Sequence, residues 1–401
     1  MNFYVVVHEF PCDGSAFHGG IATFYMNLSK VLKNNGNYVS VITLSDKYND
    51  ATKWNDIEVN RVKVPKCIYS LSRKLRTKTI EYFASSFLIR LRINKCLKCV
   101  KPDIIQYANF KGLSYFRPNK IPCVVRMSSD NVLWRETYKE NYDYQTAKNK
   151  FISEDRFEIK AINKADAIFA PSHLIAQITA ERTGKKVTTI ESLYSAVIED
   201  NSVFLKSEIK DKRYMLFFGA VCPMKGCLVI GDVLSDFFDQ YPDMFFVFIG
   251  HDYHVYKNDG TKSLSTKEYI KGLNPKYENN IVFFDSMERE FIVPFIKNAE
   301  ACVFPSRIDN IPNTCLEAMY EKKVVIGTSG ASFDQIIVDG ESGILISIDN
   351  RNELLSAMMK VMEMTGDEKT AMGRAAYNRI MECSEQKVYQ KMMDFYKCCI
   401  R

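Results

Sequence analysis

Residues 301–319, Ala301-Cys302-Val303-Phe304-Pro305-Ser306-Arg307-Ile308-Asp309-Asn310-Ile311-Pro312-Asn313-Thr314-Cys315-Leu316-Glu317-Ala318-Met319, pass from an apolar run through a polar loop into a helical pattern. Another apolar run begins at Lys323. A short buried strand, a turn-rich loop and a helix that Asn313 or Thr314 can cap form the repeating unit of a parallel sheet covered by helices. Asp309 and Glu317 stand eight residues apart across the loop and the helix start. Each carboxylate can accept hydrogen bonds from vicinal hydroxyls, and backbone amides around Pro312 to Thr314 can hold an anion between them. Taken alone, the stretch reads rather as a capped helix with an incidental acid.

The same alternation extends in both directions. Strand-like runs occur at Phe3 to Val7, Val39 to Leu44, Ile104 to Tyr107, Cys123 to Met127 and Ala167 to Ala170. They resume at Tyr214 to Gly219, Met244 to Ile249, Ile281 to Phe284, Ala301 to Phe304, Lys323 to Gly327 and Gly343 to Ile346. This pattern predicts an α/β protein of two doubly wound parallel-sheet domains, a division that suits 401 residues. The polar stretch Glu199 to Arg213 marks the boundary, giving domains at 1–200 and 201–385. A terminal helix at 386–401 is expected to pack back on the first domain.

Two further motifs sit at strand-to-helix junctions. His18-Gly19-Gly20 opens a helix after the first strand, where two glycines let the backbone approach a bulky anion and the helix end presents amides to it. A plain tight turn explains the same residues. Phe217-Phe218-Gly219-Ala220-Val221-Cys222-Pro223-Met224-Lys225-Gly226 places a lysine where it can pair with phosphate, although a surface lysine at a loop end would look alike.

The net charge of +6 is unevenly placed. Residues 61–101 hold twelve Lys or Arg and one acid, Glu81, for a local charge of +11, so the remainder carries −5. Within this region Ile80, Phe83, Phe87 and Leu91 recur at helical spacing, with Arg90, Arg92, Lys95 and Lys98 on other faces. Two readings follow for residues 73–101: a basic amphipathic helix on an anionic membrane surface, or a domain helix that turns its stripe to the core and solvates its charges. No nucleic-acid-binding module is present. The twelve cysteines are scattered, and Cys96 and Cys99 lack a second pair at metal-ligand spacing, so neither a metal nor a redox site is expected. With no leader segment and no membrane-spanning run, a cytoplasmic protein is expected, peripheral to the inner face of the membrane if the basic helix binds lipid.

The Gly-Gly turn, the Gly-x5-Lys-Gly motif, the Pro-Ser strand end, the acid-x7-Glu pair and the Gly330 to Gly343 segment, in this order and spacing, resemble glycosyltransferase family four over almost the full length. The resemblance implies the GT-B fold, two facing Rossmann-like domains with a donor cleft between them. It further implies retaining, metal-independent transfer of a hexosyl group with no cofactor, from a nucleotide diphosphate sugar of UDP or GDP type to a carbohydrate or lipid-linked acceptor. Such an enzyme suits surface polysaccharide or glycan biosynthesis. Lys225, Asp309 and Glu317 resemble the catalytic set, and Gly19, Gly20, Gly219, Asn310, Ile311, Asn313 and Thr314 complete the donor-binding set. His18, Arg126 and Ser128 fall on the acceptor side. Gly20 and Lys225 would have to approach one diphosphate from different domains.

The family pattern is broken at several positions. Asp309 replaces a glutamate, Ala220 an arginine, Ser128 a histidine and Gln335 a glutamate, and Arg307 is a candidate to supply the cation missing at Ala220. Other readings on this fold are a nucleotide-sugar epimerase, a phosphorylase, or a non-catalytic nucleotide-sugar- or membrane-binding protein.

Overall fold

The computed structural model describes residues 1–12, 20–193, 209–257 and 259–400. The chain forms two compact units: Met1–Val132, Asn149–Leu193 and Ser384–Arg401 make the first, Leu133–Lys148 and Tyr194–Cys383 the second. The expected boundary near Asp200 lies outside the described residues.

The first unit is built on eight strands: β1 (Asn2–Val7), β2 (Tyr38–Ser45), β3 (Ala51–Trp54), β4 (Ile57–Lys63), β5 (Ile104–Ala108), β6 (Cys123–Arg126), β7 (Ala167–Ala170) and β8 (Val187–Thr189). Their order in the sheet is β3-β4-β2-β1-β5-β6-β7-β8. All neighbours are parallel except β3 and β4. Phe3 of β1 faces Val39 on one side and Ile104 on the other, which fixes the register of three largely buried strands. The edge pair β3–β4 went unread in the sequence because Glu58, Asn60, Arg61 and Lys63 interrupt its apolar residues. Of these, Arg61 is held by Asp50, with Nε 2.7 Å from a carboxylate oxygen. The helix Glu385–Ile400 completes this unit: Val388, Met392, Met393 and Tyr396 enter its core, and the Tyr396 ring meets Phe3 edge-on at 5.2 Å.

The second unit carries β9 (Arg213–Phe218), β10 (Met244–Ile249), a separate hairpin of β11 (His254–Tyr256) and β12 (Lys262–Ser265), then β13 (Ile281–Phe284), β14 (Cys302–Phe304), β15 (Val325–Thr328) and β16 (Ile344–Ile346). Six of these form a parallel sheet in the order β13-β10-β9-β14-β15-β16. The chain winds outward from β9 to one side, returns, and winds outward from β14 to the other. The strand order reverses between β9 and β14, and a doubly wound sheet binds ligands beyond the carboxyl ends of the strands at such a point. Helices cover both faces, so β10 reads Met-Phe-Phe-Val-Phe-Ile without a polar residue.

The helix Thr79–Cys96 decides between the two readings of the basic region in part. Its buried face consists of Glu81, which pairs with Lys111, and of Tyr82, Ser85, Ser86, Ile89 and Ile93. Phe83, Phe87 and Leu91 are instead 48%, 47% and 48% exposed, so the apolar stripe is not buried in the core. Leu71 and Leu75 add to the same exposed apolar population among exposed Arg73, Lys74, Arg76 and Lys78.

Arg307 fastens the segment 133–148, through its residues 137–140, to the rest of the second unit. Its buried guanidinium donates to the carbonyl oxygens of Thr137 (3.1 Å), Lys139 (2.5 Å) and Glu140 (3.0 Å), while Nε meets Asp349 at 2.8 Å. Arg307→Met would strand these carbonyl acceptors and leave the half-buried Asp349 carboxylate without its cation, a loss of about 3 kcal/mol, the upper end for an unsatisfied buried polar group. We expect a large drop in the melting temperature of the second unit and early proteolysis within 133–148, read by calorimetry and limited trypsin digestion; digestion unchanged from wild type would contradict this anchoring.

Candidate active site

β9 delivers Lys225. Beyond its end the chain passes Gly219 (φ +131°) and a short 3-10 turn, Pro223–Lys225, before Gly226 takes a left-handed conformation (φ +75°) and the helix Cys227–Gln240 begins. A Cβ on Gly226 would collide with the Pro305 carbonyl, so only glycine lets the two loops meet. The amide of Arg307 then donates to the Met224 carbonyl at 2.9 Å, tying the loop after β14 to the loop after β9.

β14 delivers Asp309 to the same place. Lys225 Nζ lies 2.5 Å from Asp309 Oδ2 and 6.0 Å from the centre of the Trp134 ring. The other oxygen, Oδ1, accepts from the Asn310 amide at 2.9 Å, and Ser332 Oγ donates to the Asp309 carbonyl at 2.9 Å. Both carboxylate oxygens are therefore engaged, and the loop is pinned from the far side. Ile311 next adopts φ +55°, a conformation that a β-branched residue takes only under strain of roughly 1–3 kcal/mol. That strain turns the chain sharply before Pro312, the N-cap of helix Asn313–Tyr320. Asn313 and Thr314 are its first helical residues rather than its cap, and no side chain caps it among the described residues. Its amide end is open to an acceptor from elsewhere.

Glu317 lies on this helix, and its carboxylate forms an ion pair with Arg289, the first residue of helix Arg289–Asn298. Burial raises the Glu317 pKa above the ordinary glutamate value and Arg289 opposes that rise. Arg289 was missed in the sequence because it falls between motifs, with only its position just after a strand, β13, to suggest it.

The candidate replacement for the cation absent at Ala220 is corrected by this geometry. Arg307 spends its donors on carbonyls 137, 139 and 140 and on Asp349, and is buried. It is a structural anchor; among described residues the cations beside the acids are Lys225 and Arg289.

In the first unit, Gly20 begins the helix Gly20–Asn34, whereas His18 and Gly19 lie outside the described residues. Arg126 and Ser128 do come together, Nη1 donating to Oγ at 2.8 Å. Arg126 also donates to Ser192 Oγ at 2.9 Å and stacks on Phe24, its Cζ 3.5 Å from the ring centre. Burial lowers its pKa to about 10. The guanidinium is a core group of this unit, packed rather than projecting.

The sequence matches the profile "Glycosyltransferase Family 4" over residues 18–193 and "Glycosyl transferases group 1" over 200–379, between them most of the chain. It belongs to glycosyltransferase family four. An uncharacterized glycosyltransferase of Methanocaldococcus jannaschii is 28% identical over 162 residues, and the match spans only 40% of this chain and 40% of that relative. Among solved structures, sucrose-phosphate synthase from Thermosynechococcus elongatus superposes with a TM-score of 0.76 at 14% identity, covering 98% of both chains. The Anabaena HepE protein, solved in complex with UDP, gives 0.68 at 13% identity, covering 99% of this chain and 100% of that one. These likenesses establish the GT-B fold for this family member.

The Glu317–Arg289 pair makes a pH-dependent prediction. In Arg289→Met the opposing cation is gone and the folded-state pKa of Glu317 rises further. Folded protein then holds a proton that unfolded chain has released, so stability falls as pH rises from the unfolded value, about 4.3, towards neutrality. Urea denaturation across that range should show a steeper decline for Arg289→Met than for wild type. Parallel curves would mean that the pair does not form in solution.

Proposed function

We propose that this glycosyltransferase moves a hexosyl group from a nucleoside diphosphate donor of UDP or GDP type to a carbohydrate or lipid-linked acceptor, with retention and without a metal. The observation that carries the reading is the meeting of Lys225, Asp309 and the uncapped helix end at Asn313, beyond the carboxyl ends of β9 and β14 where the strand order reverses. The UDP bound to the structurally similar HepE is consistent with a UDP donor.

In this scheme Lys225 faces the donor diphosphate, and the amides of Ile311, Asn313 and Thr314 share its charge, with Gly219 leaving room for it; the Asn310 amide, which donates to Asp309 Oδ1, joins the donor site by holding that acid in place. Asp309 accepts from hydroxyls of the transferred sugar and Glu317 from the ribose. Because Lys225 and Asp309 are paired without donor, binding exchanges that ion pair for diphosphate on the lysine and hydroxyls on the acid. The glycosidic C–O bond to phosphate breaks as the acceptor oxygen attacks from the same face. The departing phosphate oxygen takes the acceptor proton. Charge grows on the leaving diphosphate, so a fixed lysine stabilises the transition state more than the ground state.

A thermal-shift comparison of UDP, GDP, ADP, dTDP and CMP in EDTA tests the donor site. One diphosphate should stabilise wild type but neither Glu317→Ala nor Lys225→Ala, and transfer by Lys225→Ala should fall about 100- to 1000-fold, the usual cost of removing such a stabilising group. Equal stabilisation of all three proteins would remove these residues from the donor site.

The exposed Phe83, Phe87 and Leu91, with the basic residues of 73–101, support a peripheral site on anionic lipid, each cation near the surface contributing about 1 kcal/mol. Such a location suits growth of a lipid-linked surface polysaccharide at the inner face of the cell membrane. Phosphatidylglycerol vesicles should sediment wild type at low salt and release it at high salt, and Phe83→Ser/Phe87→Ser should stay in the supernatant. Wild type that never pellets ends this reading.

A further inference from the structure

The chain has two tryptophans, Trp54 and Trp134, and the second stands at the site. Trp134 is half-buried and lies within the piece 133–148 of the second unit, its ring face turned to Lys225 with Nζ 6.0 Å from the ring centre. Two links hold it there. Thr137 Oγ1 donates to the Trp134 carbonyl at 2.8 Å, and the Thr137 carbonyl accepts from the Arg307 guanidinium at 3.1 Å. Arg307 also ties down the other side, since its own amide donates to the carbonyl of Met224, the residue before Lys225, at 2.9 Å. One arginine therefore sets indole and lysine against each other, the first through its side chain and the second through its main chain.

The lysine does not account for the ring. Where Lys164 rests on Tyr115, Nζ sits 3.7 Å from the ring centre, whereas a separation of 6.0 Å is the outer limit of a cation–π attraction. The charge of Lys225 is met by Asp309, 2.5 Å away. An indole offers a large apolar surface, about 150–250 Å² when buried, and a lysine and a carboxylate give its open face no apolar cover.

A ligand that satisfies all three side chains carries phosphate for Lys225, hydroxyls for Asp309 and an apolar face for the ring. A lipid tail has no hydroxyls. A nucleobase has the flat face but no vicinal hydroxyls, and in the donor reading ribose and diphosphate separate it from the transferred sugar. A pyranose joined to a diphosphate meets every requirement, because equatorial hydroxyls leave axial C–H bonds on the faces of the ring. Asp309 disfavours a uronosyl group, whose carboxylate would stand against its own.

We infer that Trp134 selects the transferred sugar: its indole covers the C–H face of a neutral pyranose whose hydroxyls meet Asp309 and whose diphosphate meets Lys225. The inference rests on the reading of Lys225 and Asp309 as the donor site, and adds to that site a specificity-determining residue from the segment 133–148.

Tryptophan emission and calorimetric titration of the full chain test the assignment, with UDP, GDP, UDP-glucose, UDP-galactose, UDP-N-acetylglucosamine, GDP-mannose and UDP-glucuronate as probes. Trp54 lies on β3 of the first unit, packed against Phe10 with ring centres 5.0 Å apart, so Trp54→Phe leaves Trp134 as the sole emitter. At least one neutral sugar nucleotide should change that emission beyond the change caused by its nucleoside diphosphate, and UDP-glucuronate should not. In titrations the affinity for that sugar nucleotide should fall about tenfold in Trp134→Ala, the loss of a ring contact, and stay within about threefold in Trp134→Phe. The nucleoside diphosphate should bind wild type and both variants alike. An equal loss for diphosphate and sugar nucleotide, no loss in Trp134→Ala, or emission that responds to the diphosphate alone overturns the assignment. The emission measurement keeps Trp134 in place and decides the matter should Trp134→Ala misfold. If neither UDP nor GDP binds wild type, the donor reading itself fails, a result visible before any sugar is compared.

Discussion

A parallel strand buried on both faces has no room for polar side chains along its length, and this constraint decides where chemistry can occur in the second unit. β10 is apolar from end to end and β9 carries a charge only at its first residue, the exposed Arg213, so the groups able to bind an anion or a hydroxyl gather beyond the carboxyl ends of these strands. The reversal of strand order between β9 and β14 then parts the covering helices and brings two of those loops together. Gly226 allows the contact to be made backbone to backbone, and Lys225 and Asp309 meet because the main chains beneath them are already in contact.

The site is held under tension. Ile311 is kept in a left-handed conformation and burial holds the Glu317 pKa above its ordinary value, and neither would persist in a free peptide. Packing over-determines both: Ile311 is buried, the Asp309 carbonyl is fixed by Ser332, and Glu317 has Arg289 within reach. The cost is met by the apolar core beneath, and it yields carboxylates and amides whose positions do not depend on a ligand to order them.

Much of this was legible from spacing alone. Period and length marked the central strands, as in the short run Met244 to Ile249, and the lysine and acid motifs fell on the two loops, after β9 and β14, that the fold brings together. What escaped notice had physical reasons. Strands β3 and β4 lie at a sheet edge, where charged residues are tolerated and the apolar signal is diluted. Arg307 reads as a spare cation in a motif, yet its partners, the carbonyls of 137–140, belong to backbone some 170 residues away, which no side-chain pattern advertises. The stripe Ile80, Phe83, Phe87 and Leu91 has helical period, but period alone does not tell which of two adjacent faces turns inward; serines 85 and 86 went in and the phenylalanines stayed out. Arg289 stands outside any recognisable motif and is meaningful only through Glu317.

The anchoring of residues 133–148 has a consequence for how the two halves can be inherited. The second unit is discontinuous in sequence: a piece of it is encoded between segments of the first and fastened by Arg307. A gene cut once between the halves, at the point where the linear order suggests a join, would deliver a second half lacking the strand of backbone that Arg307 was built to hold. Recombination that swaps donor halves between relatives must therefore carry the short inner segment along, or supply one whose carbonyls reach the same guanidinium, so the two halves are tied to a common descent more tightly than a two-module chain would suggest.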